Sequence, residues 1–248
     1  MLLLYGADLA LARVCIAFGM LGIAAAMDMR QRQVDDRFWM AFGGVAAALY
    51  FFDYGQMDIP TVALSAGLGG AASYLLYRMG LFGGADALAL AVFAAILPTY
   101  DGRFILEGMS AKLHPLSPLM LLSNAAVLSL AHPVINVVRN ARYGVRHPSA
   151  LFAGMEKETA ARKALAVMLG HRSNGSGFAF LMEKNCAGIR KFDFSLKPAE
   201  DTPFESRPGV WVMPGIPFLV YMLAGLAAMV FIGDLALAFL SALAGGVF

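Results

Sequence analysis

The sequence predicts an all-α polytopic membrane protein: six transmembrane helices, with a small cytoplasmic α+β domain between helices five and six. Three observations lead there. The 248 residues are 59% hydrophobic and 15% charged, whereas a soluble domain carries roughly a quarter charged residues. Apolar runs approaching or exceeding the roughly 17–25 residues needed to cross a bilayer recur along the chain. The remaining charge gathers largely in one segment, about 139–210. The expected organisation is therefore five spans and their loops over 1–138, a basic cytoplasmic domain over 139–210, and a sixth span with a tail over 211–248.

The expected spans run approximately 8–27, 38–52, 60–79, 86–100, 116–138 and 214–233. The first is too long for a signal peptide and lacks a basic n-region and a small-residue cleavage site, so it is not read as a removed leader. The third carries Ser65, Gly69 and Ser73 at four-residue spacing. Small residues so spaced let helices approach closely in lipid, which predicts a helix packed on one face inside a bundle. Pro133, lacking an amide hydrogen, should interrupt the fifth run near His132. The apolar stretch after Gly233-Asp234 exceeds what one span needs and reads as a separate short interfacial helix.

Orientation follows from the basic residues. Arg30, Arg32 and Arg37 follow the first span, Arg78 ends the third, and Arg139, Arg142 and Arg146 follow the fifth. The opposite loops hold only Arg103 and Lys112. The first, third and fifth spans should thus end in the cytoplasm, with both termini outside. Segment 139–210 holds 12 of the 19 Lys+Arg residues against 7 of the 17 Asp+Glu residues, a net charge of +5. Such charge matches anionic lipid headgroups, and no nucleic-acid partner is expected. Residues 149–170 read as an amphipathic helix capped by Ser149, followed by strands at FAFLME and IRKFDFSL. Cys15 and Cys186, far apart, build neither a disulfide framework nor a zinc motif. His114, His132, His147 and His171 show no ligand spacing and read as structural or surface residues.

Two carboxylates stand out. Asp28 closes the first span and Asp86 opens the fourth, so the predicted topology brings both to one membrane depth on one side. Ionisable groups beside hydrocarbon are costly and point to function. Two adjacent carboxylates cannot both ionise, so the pair offers a base to activate water and an acid for the leaving amine. Asp86 could also serve simply as a helix cap. A proton-coupled transporter using Asp28 and Asp86 as ion sites is the alternative from another class, although no internal repeat of the transporter kind is visible.

The residues around the pair carry a resemblance. DMRQRQVDD, Asp28 to Asp36, resembles the D-x-R-x-R-x-I/V-x-D stretch of the type IV prepilin peptidase family, a group of GxGD-type intramembrane aspartyl peptidases. FGGAD, Phe82 to Asp86, is similar to the glycine-rich signature before the second aspartate of that family. The basic segment followed by WVMPGIPF, Trp211 to Phe218, resembles its archaeal preflagellin peptidase branch. Two departures are Ala85, where the pattern has glycine, and Leu88, where a lysine is common. The resemblance implies an endopeptidase that removes a short basic leader from preflagellin or prepilin-like precursors at the cytoplasmic membrane face. It implies Asp28 and Asp86 as the catalytic residues and needs no metal or organic cofactor. The expected partners are such precursors and the lipid bilayer. For substrate binding, Gly83 and Gly84 would let an extended peptide approach a loop at 79–85, with a plain tight turn there as the alternative. Asp35 and Asp36 would attract the basic leader, or else pair with neighbouring arginines or cap the second helix. Asp53, Asp58, Asp101 and Glu107 read as exposed charges on the other side.

Overall fold

The computed structural model describes residues 2–53, 58–106, 113–175, 177–186, 188–195 and 202–243, and for 2–8 their backbone only. The chain forms two compact units, 1–129 with 217–248, and 130–216. It is mostly helical, and among the described residues the small amount of sheet is confined to the second unit.

The first unit holds α1 (Leu2–Gln31), α2 (Asp36–Phe52), α3 (Ile59–Arg78), α4 (Gly84–Ile96), α5 (Ser117–Ser129), α8 (Phe218–Phe231) and α9 (Leu235–Leu243). Three stretches are long and apolar enough to cross a membrane: Leu9–Gln31, Ile59–Arg78 and Ser117–Arg146. A fourth arises if α8 and α9, bent by 69° at a short break, count as one span. Helices α2 and α4, at 17 and 13 residues, fall short of that length, so length and composition support three or four spans where six were expected. The Ser117–Arg146 stretch is interrupted at Leu130, three residues before Pro133, as the missing amide anticipates.

Met20, Leu21, Leu90, Phe93, Met120, Leu121, Leu219, Met222 and Leu226 are completely buried and form one core joining α1, α4, α5 and α8. Outward faces are apolar instead of polar: Ile23, Met40, Phe51, Leu64 and Leu75 are all exposed. That inversion suits a protein solvated by lipid.

Helix α3 bears out its small-residue face. Ser65, Gly69 and Ser73 are its buried residues. A Cβ at Gly69 would lie 2.6 Å from the Cβ of Ala94 on α4, so only glycine permits this approach. The Ser65 hydroxyl donates to the Pro98 carbonyl, and the Ser73 hydroxyl to the Ala87 carbonyl. At the α8–α9 break, buried Asn124 of α5 donates to the Gly233 carbonyl (2.9 Å) and accepts from the Leu235 amide (2.8 Å). Asp234 caps α9 through the Leu237 amide at 3.0 Å. The tail is thus a separate short helix whose freed backbone groups are satisfied internally, as a low-dielectric setting demands.

The second unit holds α6 (Ala131–Arg146), α7 (Ala160–Leu169), β1 (His171–Asn174), β2 (Ala179–Leu181), β3 (Glu183–Cys186), β4 (Ile189–Phe192) and β5 (Pro208–Pro214). One antiparallel sheet has the order β1-β5-β2, and β3 pairs with β4 as a separate hairpin. The strands expected in FAFLME and IRKFDFSL are present as β2 and β4. The helix expected over 149–170 is a correction. Residues 148–154 form turns, and α7 begins only at Ala160, with Thr159 as its cap accepting from the Arg162 amide. Gly154, at φ +83°, lies where an L side chain strains the backbone and stops any helix through it. The C-terminal carbonyls of α7 are capped from α6: Asn136 donates to Met168, and Asn140 to Val167 and Gly170. Trp211, Phe192, Met155 and Met182 fill the small core.

Candidate active site

Asp28 sits in the last turn of α1, its side chain 14% exposed. Asp86 is the third residue of α4. The N-cap residue is Gly83, in extended conformation, and Asp86 also serves the helix end, its Oδ2 accepting from the Gly83 amide at 3.3 Å as the third residue of a capping box does. Helices α1 and α4 share the core of the first unit. Asp28 in the last turn of α1 and Asp86 in the first turn of α4 consequently lie near enough for the Asp28 charge to act on Asp86. Arg32, one turn beyond Asp28, places Nη1 3.5 Å from Asp28 Oδ2, and its charge reaches both carboxyls. Residues 58 positions apart in sequence are thereby gathered with one cation at one end of the bundle.

The other expected site residues lie nearby in the chain. Gly83 and Gly84 form the start of α4. The segment before them is the tight turn that was the alternative to an open loop: Gly80 is left-handed at φ +70°, and the Leu81 and Phe82 amides both donate to the Leu76 carbonyl. Phe82 then packs on Phe218 with ring centroids 5.0 Å apart. Asp35 is the N-cap of α2 and accepts from the Arg37 amide at 2.8 Å, while Asp36 stands in the first turn. Both are exposed. Among the described residues, no group of three or more His, Cys, Asp or Glu is arranged to hold a metal.

One buried charge escaped the reading of the sequence. Arg13, 6% exposed within α1, pairs with Asp53 (3.1 Å), donates to the Ile96 carbonyl (2.7 Å) and lies 5.1 Å from the Tyr50 ring centroid. Asp53 is therefore the partner of a buried cation and not simply a surface charge. The signal was present: an arginine inside an apolar run calls for an internal partner. A cavity of about 260 Å³ adjoins this pair, lined also by Thr61, Tyr100, Asp101 and Arg103. Helix α1 puts it 15 residues from Asp28, so it is separate from the carboxylate pair. Asp101 pairs with Arg103, which holds its carboxyl below the usual range mainly through direct hydrogen bonding. Glu107 lies outside the described residues.

Residues 15–134, which contain both aspartates, match the model of the type IV leader peptidase family. Residues 190–235 match the model of the archaeal peptidase A24 C-terminus, type II. The two matches together span two-thirds of the chain. The chain is also 26% identical over 232 residues, covering 88% of itself and 92% of the relative, to a preflagellin peptidase of Methanocaldococcus jannaschii. The chain thus carries both parts of the type IV leader peptidase pattern in order, over 15–134 and 190–235.

Proposed function

We propose that the chain is a membrane-embedded aspartyl endopeptidase that removes the short basic leader from preflagellin or prepilin-like precursors at the cytoplasmic membrane face. The observation that carries this reading is the packing of α1 and α4 in one core, with Asp28 in the last turn of the one and Asp86 in the first turn of the other, where the Asp28 charge acts on Asp86. Water is the nucleophile. One carboxylate takes its proton as water attacks the scissile carbonyl; the other, protonated, donates to the leaving amine, and the roles then reverse. Gly83 and Gly84 leave room for an extended substrate backbone beside Asp86, and exposed Asp35 and Asp36 present negative charge to a basic leader. The bundle crosses the bilayer in six passes, with α2 and α4 as its short members. The basic segment faces the cytoplasm. The relative from Methanocaldococcus jannaschii, similar over most of both chains, supports preflagellin as the substrate class. The carrier alternative finds no support in the family matches.

The test is cleavage of a precursor peptide with a basic leader by purified protein in lipid vesicles. Asp28→Asn and Asp86→Asn should each reduce kcat by at least about a thousandfold, because neither carboxylate can do both jobs. Wild-type cleavage by either variant would sink the assignment. Proton flux without cleavage would revive the carrier.

A further inference from the structure

Arg32 has an unusual backbone. Its φ is +54°, and among the described residues it alone has positive φ without being glycine. Helix α1 ends at Gln31, and the Arg32 amide donates to the Asp28 carbonyl at 2.9 Å, closing the helix with a left-handed residue. Glycine normally fills that place and asparagine tolerates it, because an L side chain there crowds its own backbone. Helix termination by itself therefore does not call for arginine.

The guanidinium supplies what neither glycine nor asparagine would. The side chain is only 17% exposed and sets Nη1 3.5 Å from Asp28 Oδ2. Among the described residues, the Arg32 charge acts on both Asp28 and Asp86, and the Asp28 charge acts on Asp86. A cation fixed beside one member of a pair makes the two unequal, and inequality is what separates an acid from a base.

We propose that Arg32 is a positioning residue of the peptidase reaction, its strained left-handed backbone directing the guanidinium onto Asp28 so that this carboxylate is held toward Asp86. The proposal rests on the reading of Asp28 and Asp86 as the catalytic pair. It assigns the left-handed turn to catalysis: backbone strain is retained because relief by glycine would remove the cation.

Three variants of the full chain in lipid vesicles test it. Arg32→Gly and Arg32→Asn fit the left-handed turn and carry no charge; Arg32→Lys keeps the charge and the crowding. With a basic-leader precursor peptide, the first two should lose about a hundredfold in kcat, with KM within about twofold of wild type. Arg32→Lys should keep kcat within about threefold of wild type, a cation at the same place preserving most of the effect. Arg32→Gly should unfold on heating no lower than wild type, and by about 2 °C higher if the strain is fully released. Wild-type kcat in Arg32→Gly or Arg32→Asn overturns the proposal, as does Arg32→Lys failing as badly as Arg32→Gly. Loss of kcat together with a lower unfolding temperature in Arg32→Gly also overturns it, because the role would then be structural. Run alongside, Asp28→Asn and Asp86→Asn separate the two ideas: inactive aspartate variants with active Arg32 variants refute only the role of Arg32.

Discussion

His171 shows how burial sets the behaviour of a single residue. It lies on β1, 7% exposed, and its Nδ1 has no hydrogen-bond partner. Burial first, and the Arg139 cation second, push its pKa down from 6.5 to about 4. The unfolded chain therefore takes up a proton near pH 6.5, and the folded chain resists until about pH 4. Its contribution to stability is complete above pH 6.5, falls as pH drops through that window, and is gone below about 4. The swing amounts to no more than about 3 kcal/mol. Amide hydrogen exchange at β1 and β5 in the full chain should accelerate between pH 6.5 and 4, after correction for the intrinsic rate, and His171→Leu should flatten that response. An identical pH response in His171→Leu would show that another group is titrating. Buried Glu158 contrasts with His171: its carboxylate accepts from the Phe192 amide (2.6 Å) and from Arg162 (2.7 Å), so its charge is fully engaged.

Among the elements, α4 matters most, because it carries Asp86 yet has only 13 residues. So short a helix needs its ends held. Near Asp86, Ser73 donates to the Ala87 carbonyl. At the other end, carbonyls left without intrahelical donors are met by side chains: Tyr50 reaches Ala95 (2.7 Å) and Arg13 reaches Ile96 (2.7 Å). Arg13 also binds Asp53 at the end of α2, so one cation ties α1, α2 and α4 together. Arg13→Met should cost roughly 3 kcal/mol, since it leaves a poorly hydrated carboxylate and a carbonyl unmatched. Replacing Asp53 with leucine in the same chain should restore part of that loss. Thermal unfolding in detergent micelles of the two single variants and the double variant measures the coupling directly. A single-variant loss below about 0.5 kcal/mol would place the pair with ordinary surface ion pairs. Close packing of α8 on α5 works without charge: a Cβ at Gly225 would lie 2.9 Å from the Ala125 amide nitrogen, so the helix backbones touch.

At the scale of the whole molecule, the question is which side of the bilayer each part occupies. Basic residues concentrate in 139–210, and the positive-inside rule makes a cytoplasmic position the expectation for that segment. The chain offers its own probe, because Cys186 is exposed on β3 while Cys15 lies within the first apolar span. In sealed right-side-out vesicles, a membrane-impermeant maleimide should label Cys186 only after the vesicles are opened, and in inverted vesicles it should label at once. Labelling of intact right-side-out vesicles would reverse the orientation and move the carboxylate pair to the outer face.

The sequence by itself determined which segments are apolar, where the basic charge lies, and which residues resemble a peptidase motif, because hydropathy and short motifs are local properties. It also marked the buried face of α3, since Ser65, Gly69 and Ser73 recur with the helical period. Tertiary structure decided what depends on distant partners: the approach of Asp28 to Asp86, the left-handed turn that brings Arg32 onto Asp28, and the pairing of Arg13 with Asp53 and Ile96. It also shortened the expected helix at 149–170, where Gly154 and the turns around it outweighed an amphipathic pattern. The physical reason is common to all of these. A buried charge or an open helix end must find a partner, and only the packed chain establishes which group is within reach.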